Sequence, residues 1–345
     1  MAQTPNDLMT ELLRDVSRSF YLTLRVIPKA IRPQIGLAYL LARTTDTIAD
    51  TELVSIEKRL ELLRAVRGRI LEDKVSPIDF GELAGRQQLP AERLLLEKCE
   101  ASLALLQTLS SADLQLVREV LNIIVSGQEL DLRRFAGASA DKIVALQSEG
   151  ELDDYTYRVA GCVGEFWTRM CRTHLFPDAQ LDDPFLLASG VRFGKGLQLV
   201  NILRDLPADL RHGRCYLPAE RLSQASLTPQ DLSEPRNQAK FRPLYHHYLD
   251  LADAHLAAGW AYTNTLPWRG ARVRLACAWP ILIGMKTIER MRAANVLGPQ
   301  RVKISRNEVR QIILRSLFLY PWPSAWQNMA APGKGKAVAS TADIK

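Results

Sequence analysis

The chain has 345 residues, 47% of them hydrophobic and only 7% aromatic, with a formal net charge of +7. That much apolar matter can bury a sizeable core, and long stretches rich in Leu, Ala, Arg and Glu favour helix over sheet. The charge fits a solvated surface, an anionic membrane, an anionic substrate or nucleic acid; the last ranks lowest, since basic residues are scattered and neither zinc-finger spacing nor an RNP-like aromatic signature occurs.

In chain order, apolar residues returning at three- and four-residue steps predict helices over 7–21, 33–50, 55–71, 91–109, 112–134, 152–173, 185–206, 236–265, 272–293 and 306–319. Ser110 and Ser111 stand where an N-cap for the fifth belongs. Connections carry Pro, Gly and Asp, as at Pro177-Asp178 and Gly298-Pro299. No alternating strand pattern exceeds about four residues, and no internal repeat is visible. Most segments are apolar on more than one face. This suits a single all-α helical bundle with a central cavity over residues 1–330. Residues 331–345, small and polar, read as a disordered tail.

The five cysteines are irregularly spaced and several sit in apolar runs, as reduced thiols of a cytoplasmic protein would. The first residues carry acidic groups and no apolar signal core. No uncharged run reaches the roughly 20 residues of a membrane span. The nearest, residues 312–326, is broken by Arg315 and prolines. The five histidines lack metal spacing such as HExxH.

Three constellations carry chemistry. In the first, Tyr39, Arg43, Asp46 and Asp50 share one stripe of an otherwise apolar helix, because positions three and four apart face the same way. Carboxylates in such surroundings are paired or metal-bound; for one such pair, a solvated face with an Arg–Asp pair is the alternative. In the second, Gln198, Asn201 and Asp205 share a face, Asp209 follows at four residues, and Arg204, Arg211 and Arg214 lie close. Pro207 cannot donate to the carbonyl of Leu203, so the helix is expected to kink or end there, with Asp209 in a distorted last turn. Two carboxylate pairs together suit magnesium, which takes a few carboxylates plus substrate phosphate oxygens, with arginines on the remaining oxygens. Such a site draws off a diphosphate leaving group, and an apolar cavity keeps water from the cation left behind. In the third, Tyr155 and Tyr157 precede a small-residue face with Gly161 and Gly164. The tyrosines can steady a cation or move a proton. The glycines admit a helix or a chain-like ligand, or are ordinary tight packing.

Ser17-Arg18-Ser19-Phe20, then Tyr39…Arg43-x-x-Asp46-x-x-x-Asp50, then Tyr155-x-Tyr157-x-Val-Ala-Gly161, then Gln198…Asn201-Ile-x-Arg204-Asp205-x-x-x-Asp209…Arg214 resemble the squalene/phytoene synthase family, in order and over roughly 17–293. The resemblance implies an isoprenoid (terpenoid) synthase fold, several magnesium ions, and head-to-head (1'-1) condensation of prenyl diphosphates, here farnesyl diphosphate, through a cyclopropyl intermediate. By position it implies that Asp46, Asp50, Asp205 and Asp209 hold magnesium and diphosphate. Ser17, Arg18, Ser19, Arg43, Arg204 and Arg214 would bind diphosphate, Gln198 and Asn201 would lie near the second diphosphate, and Tyr39, Tyr155 and Tyr157 would steer the cation or move a proton. Cys277-Ala-Trp-Pro280 and Val302-Lys303-Ile304-Ser305-Arg306 look like the squalene-forming branch. There the second segment lies on the NADPH side, which implies cofactor contacts for Lys303 and Arg306. Ile281 and Ser305 depart from that branch, where a glutamine and a basic residue are usual, and no membrane-spanning tail follows. No GxGxxG is present, so NADPH would need another cleft. A presqualene diphosphate, dehydrosqualene or phytoene synthase without the reductive step and a non-catalytic assembly factor on the same fold are the alternatives. The apolar product and the segment Leu317-Phe318-Leu319-Tyr320-Pro321-Trp322 suggest peripheral contact with the inner face of an anionic membrane.

Overall fold

The computed structural model describes residues 13, 20–71, 76–298 and 302–330. Ser17, Arg18 and Ser19, most of the expected 7–21 helix and the 331–345 tail lie outside the described residues.

Helix dominates. The order is α1 (Phe20–Val26), α2 (Arg32–Asp50), α3 (Ile56–Leu71), α4 (Glu82–Arg86), α5 (Pro90–Glu97), α6 (Cys99–Leu106), α7 (Ser111–Arg134), β1 (Val144–Ala145), α8 (Glu149–Thr156), a π turn (Tyr157–Gly161), α9 (Cys162–His174), α10 (Asp183–Arg211), β2 (Arg214–Cys215), α11 (Ala219–Gln224), α12 (Gln238–Thr265), α13 (Ala271–Ala293), α14 (Arg306–Leu319) and α15 (Pro323–Gln327). Ser110 caps α7, its hydroxyl accepting from the Asp113 N–H.

Three departures from the sequence expectation have physical causes. The helix expected over 91–109 breaks at Lys98 into α5 and α6, and both pieces pack on α2. The break turns Leu95 and Leu96 on one side, and Cys99, Leu103 and Leu106 on the other, into the same core. The helix expected over 152–173 is interrupted by the π turn. Beyond it α9 meets α10 backbone to backbone: a Cβ at Gly164 would lie 1.9 Å from the Gly190 carbonyl oxygen, and one at Gly194 2.1 Å from that of Ala160. The small-residue face thus receives a helix. Third, α10 neither ends nor breaks at Pro207 but runs on to Arg211. The Leu203 carbonyl, left without its helical donor, accepts instead from the buried Tyr245 hydroxyl of α12 at 3.0 Å.

The apolar interior falls into two clusters. One is built by α2, α3, α5, α6, α7 and α9; the other by the C-terminal half of α10 with α12, α13 and the C-terminal helices. Phe193 and Val26 touch both. The two acidic pairs lie on opposite sides of this seam, Asp46 and Asp50 on α2, Asp205 and Asp209 on α10.

At the end of α10, Gly213 takes φ +75°, and a Cβ there would meet the Ser139 backbone at 2.3 Å. Its turn feeds β2, which pairs in parallel with β1 and sets Arg214 and Tyr216 beside α7. All five cysteines are free and buried; burial pushes the thiols of Cys99, Cys162, Cys215 and Cys277 up to about 12. Among the described residues no helix is long and apolar enough to cross a membrane.

Candidate active site

On α2, Asp46 accepts from Arg43 at 3.2 Å and from Gln128 of α7 at 2.5 Å. The pair keeps its sites partly wet: the Asp46 side chain is 39% exposed, and Asp50 is exposed. Yet burial raises the pKa of both, with Arg43 opposing it at each and Arg214 opposing it most at Asp50. Both carboxylates thus combine access to solvent with packed protein close by.

Across the seam, Arg204 clamps Asp205 through two contacts of 3.1 and 2.5 Å. Burial, then the charge of Asp205, pushes the Asp209 carboxyl up to about 7, and Asp131 and Asp50 add to it. That Asp50 is felt at Asp209 joins the two pairs electrostatically. His212 and Glu52, just past each pair, stand 3.5 Å apart.

Asp131 of α7 is a fifth carboxylate at this place. It accepts from the Tyr216 hydroxyl at 3.0 Å, lies 4.0 Å from Arg214, and is pushed up to about 6 by burial, with Asp50 adding to it. Its Oδ1 is buried without a hydrogen-bond partner, as is Oε1 of Gln128. Tyr155 stacks on Tyr216 with ring centres 4.6 Å apart, and burial, followed by the charges of Asp131, Asp209 and Asp50, raises its pKa. Arg59 is buried, donates to the Ala49 carbonyl at 3.1 Å, and is one of the positive charges that Asp50 feels.

The structure therefore brings together Arg43, Asp46, Asp50, Tyr155, Asp205, Asp209 and Arg214, with Arg204 on Asp205. Tyr39 is half-buried on the same helix as Asp46, Gln198 half-buried and Asn201 exposed on α10. Tyr157 is set apart: it sits in the π turn, donates to Glu165 at 3.3 Å, and its charged neighbours are Glu165, Arg169 and Lys195. Lys303 and Arg306 are exposed at the start of α14; Ser305 caps that helix through a reciprocal box with Glu308. Among the described residues, no three histidine, cysteine or carboxylate side chains form a cage for a metal ion. Two pairs that feel one another's charge and remain open to solvent instead suit ions that keep waters and share oxygens with a substrate.

A profile of the Squalene/phytoene synthase family matches residues 13–308. The chain belongs to this family. Among relatives of this squalene/phytoene synthase family member, a bifunctional lycopene cyclase/phytoene synthase of Blakeslea trispora is 29% identical over 316 residues, covering 89% of this chain and 48% of that protein. A squalene synthase of Schizosaccharomyces pombe is 26% identical over 313 residues, covering 90% of this chain and 64% of that one. The chain thus spans about half to two thirds of the length of these relatives. A solved complex of TcSQS with a ligand superposes with a TM-score of 0.72 at 20% identity, over 95% of this chain and 92% of that one. The fold of this family member is accordingly the all-α terpenoid synthase bundle.

Gln128, Asp131, Arg59 and Tyr216 were not singled out by sequence reasoning. The signal for the first two was present: Gln128 and Asp131 stand three apart and share a helix face with buried Ile124 and Val125 close by.

Proposed function

We propose that the protein is a squalene synthase. It joins two farnesyl diphosphates head-to-head (1'-1) to presqualene diphosphate and, with NADPH, reduces this to squalene. The supporting observation is the pair of aspartate pairs on α2 and α10, which feel one another's charge and have Arg43, Arg204 and Arg214 among them.

Asp46, Asp50, Asp205 and Asp209 would hold magnesium, which when bound neutralises the departing diphosphate. Arg43, Arg204 and Arg214 take diphosphate oxygens, and Ser17, Arg18 and Ser19 add to them. The first diphosphate leaves C1 of one farnesyl chain, and the double bond of the second chain supplies the electron pair to that carbon. A proton then leaves and the cyclopropane closes. Tyr155, stacked on Tyr216, would relay that proton through the Tyr216 hydroxyl to Asp131, a role supported by the stacking and by the Tyr216–Asp131 hydrogen bond. Tyr39 presents a ring from the same helix as the first pair, and Gln198 and Asn201 orient the second diphosphate. The apolar clusters on both sides exclude water from the cation. In the second half, the remaining diphosphate leaves, the skeleton rearranges, and a hydride completes it. Lys303 and Arg306, both exposed and basic, suit the phosphates of NADPH. We read the protein as cytoplasmic, working in peripheral contact with a membrane that takes up its apolar product.

A phytoene-type reaction without reduction is the second reading, favoured by the 29% identity to the Blakeslea trispora protein. Incubation with farnesyl diphosphate and magnesium, with and without NADPH, separates them. Squalene formed only with NADPH supports the proposal; presqualene diphosphate or dehydrosqualene as the sole product, or phytoene formed when geranylgeranyl diphosphate replaces farnesyl diphosphate, overturns it. A non-catalytic role would leave five raised or clustered carboxylates without purpose. Asp46→Asn abolishing turnover at unchanged melting temperature excludes it.

A further inference from the structure

Nine large hydrophobic side chains are exposed among the described residues, and four of them fall within 314–322: Leu314 at 55%, Leu317 at 46%, Phe318 at 68% and Trp322 at 53%. Their positions are regular. Arg306, Arg310, Leu314 and Phe318 stand four apart along α14, and Trp322 follows four residues later. The Phe318 and Trp322 rings are 5.3 Å apart and form one ridge. This ridge is not the side by which α14 is held. Ile312, Ile313, Ser316 and Tyr320 do that: the first two and Tyr320 pack on the second core, the buried Ser316 hydroxyl accepts from Trp279 at 2.9 Å, and Tyr320 stacks on Trp268 at 4.5 Å. The helix is therefore apolar on two faces, and folding uses only one of them. Sequence reasoning put Leu319 and Tyr320 into the same docking segment; both turn out to be half-buried.

The charge beside the ridge has one sign. Over residues 302–330 the charged side chains are Lys303, Arg306, Glu308, Arg310 and Arg315. The single acid is engaged by Ser305 and by Arg290 at 2.7 Å, while the four bases are exposed. Arg269 and the 36%-exposed Trp268 continue the surface where Trp268 stacks on Tyr320. Apolar side chains at one end of a helix with arginines at the other and along its flank match a bilayer interface, where acyl chains take the ridge and headgroup phosphates the guanidinium groups.

We propose that the outward face of α14, with Leu314, Leu317, Phe318 and Trp322 as the inserting ridge and Arg310 and Arg315 as its basic flank, docks on a bilayer bearing anionic headgroups. This gives the peripheral placement proposed above its surface and its lipid chemistry, and it is independent of which prenyl product is made.

The test is flotation of the full chain with vesicles of phosphatidylcholine alone and of phosphatidylcholine mixed with phosphatidylglycerol. Binding to the mixed vesicles, weak binding to the neutral ones, and a fall of about fivefold for each of Arg310→Gln and Arg315→Gln are expected. Leu314→Gln/Phe318→Gln/Trp322→Gln should abolish binding while melting and turnover of water-dispersed substrate stay unchanged, since these side chains face outward. No binding, equal binding to both vesicle types, or binding that survives the triple variant overturns the proposal. So does a self-associated wild type that the triple variant renders monomeric, because a second copy would then cover the ridge.

Discussion

Replacing Tyr245 by phenylalanine removes the donor on which an α10 containing Pro207 relies. The Leu203 carbonyl would normally accept from residue 207, which has no N–H, and it accepts from the Tyr245 hydroxyl at 3.0 Å in a buried setting. Without that hydroxyl the carbonyl is left dry and unpaired, which costs about 1–3 kcal/mol, or roughly 1–4 °C in melting temperature for a chain of this length. The decisive form is a double-mutant cycle. Pro207→Ala restores a backbone donor to Leu203, so Tyr245→Phe in that background should cost less than about 1 kcal/mol. Denaturant unfolding of the four proteins measures it. Equal costs in both backgrounds would show that the hydroxyl does not substitute for the missing helical bond, and the account of how α10 carries Asp209 past the proline would fail.

Further outcomes follow from the same geometry. Burial pushes the carboxyls of Asp131 and Asp209 up to about 6 and about 7 from the ordinary 3.8; the folded state binds these protons more tightly, so in chelated protein the stability these two groups contribute is fully present below about pH 4 and is lost as pH rises toward 7. Asp209→Asn should remove its share of that loss between about pH 4 and 7 in pH-dependent denaturation; a pH dependence identical to that of the wild type would contradict the clustering. Gly164→Ala, whose Cβ would meet the Gly190 carbonyl oxygen at 1.9 Å, should cost more than about 3 kcal/mol or prevent folding, whereas Gly68→Ala on α3, with nothing within 4 Å, should be neutral or stabilising by about 0.5–1 kcal/mol. Gln128→Leu releases Asp46 from its 2.5 Å bond and should raise the magnesium concentration needed for half-maximal turnover by about 10–100-fold without lowering stability comparably; an unchanged magnesium requirement would remove Gln128 from the site.

The parts of the fold legible in sequence were those set by local period. Helix α14 matches its expectation end to end because its apolar repeat and its Ser305–Glu308 box agree, and the two aspartate pairs were visible because four-residue spacing on a helix is a local fact. What escaped depended on distant chain. Pro207 read as a breaker because its compensating donor, Tyr245, lies on another helix. Asp131 and Gln128 stay unmarked within the helix expected over 112–134 because only the meeting of α2, α7 and β2 encloses them, and β2 is placed by a single glycine, Gly213. Tyr157 read as a twin of Tyr155, but the π turn between α8 and α9 hands it to Glu165 instead. Arg59 became a neighbour of Asp50 through the fold of α3 onto α2, which no spacing announces.

The central claim is that the two aspartate pairs act jointly on a diphosphate through divalent ions. Thermal melting with magnesium and inorganic pyrophosphate, added singly and together, tests it on the protein itself. The account predicts a rise only when both are present, equivalent to about 2.7 kcal/mol at a hundredfold excess over the dissociation constant, and its loss in either Asp50→Asn or Asp209→Asn. Stabilisation by pyrophosphate without magnesium, or its survival in both variants, would contradict the claim.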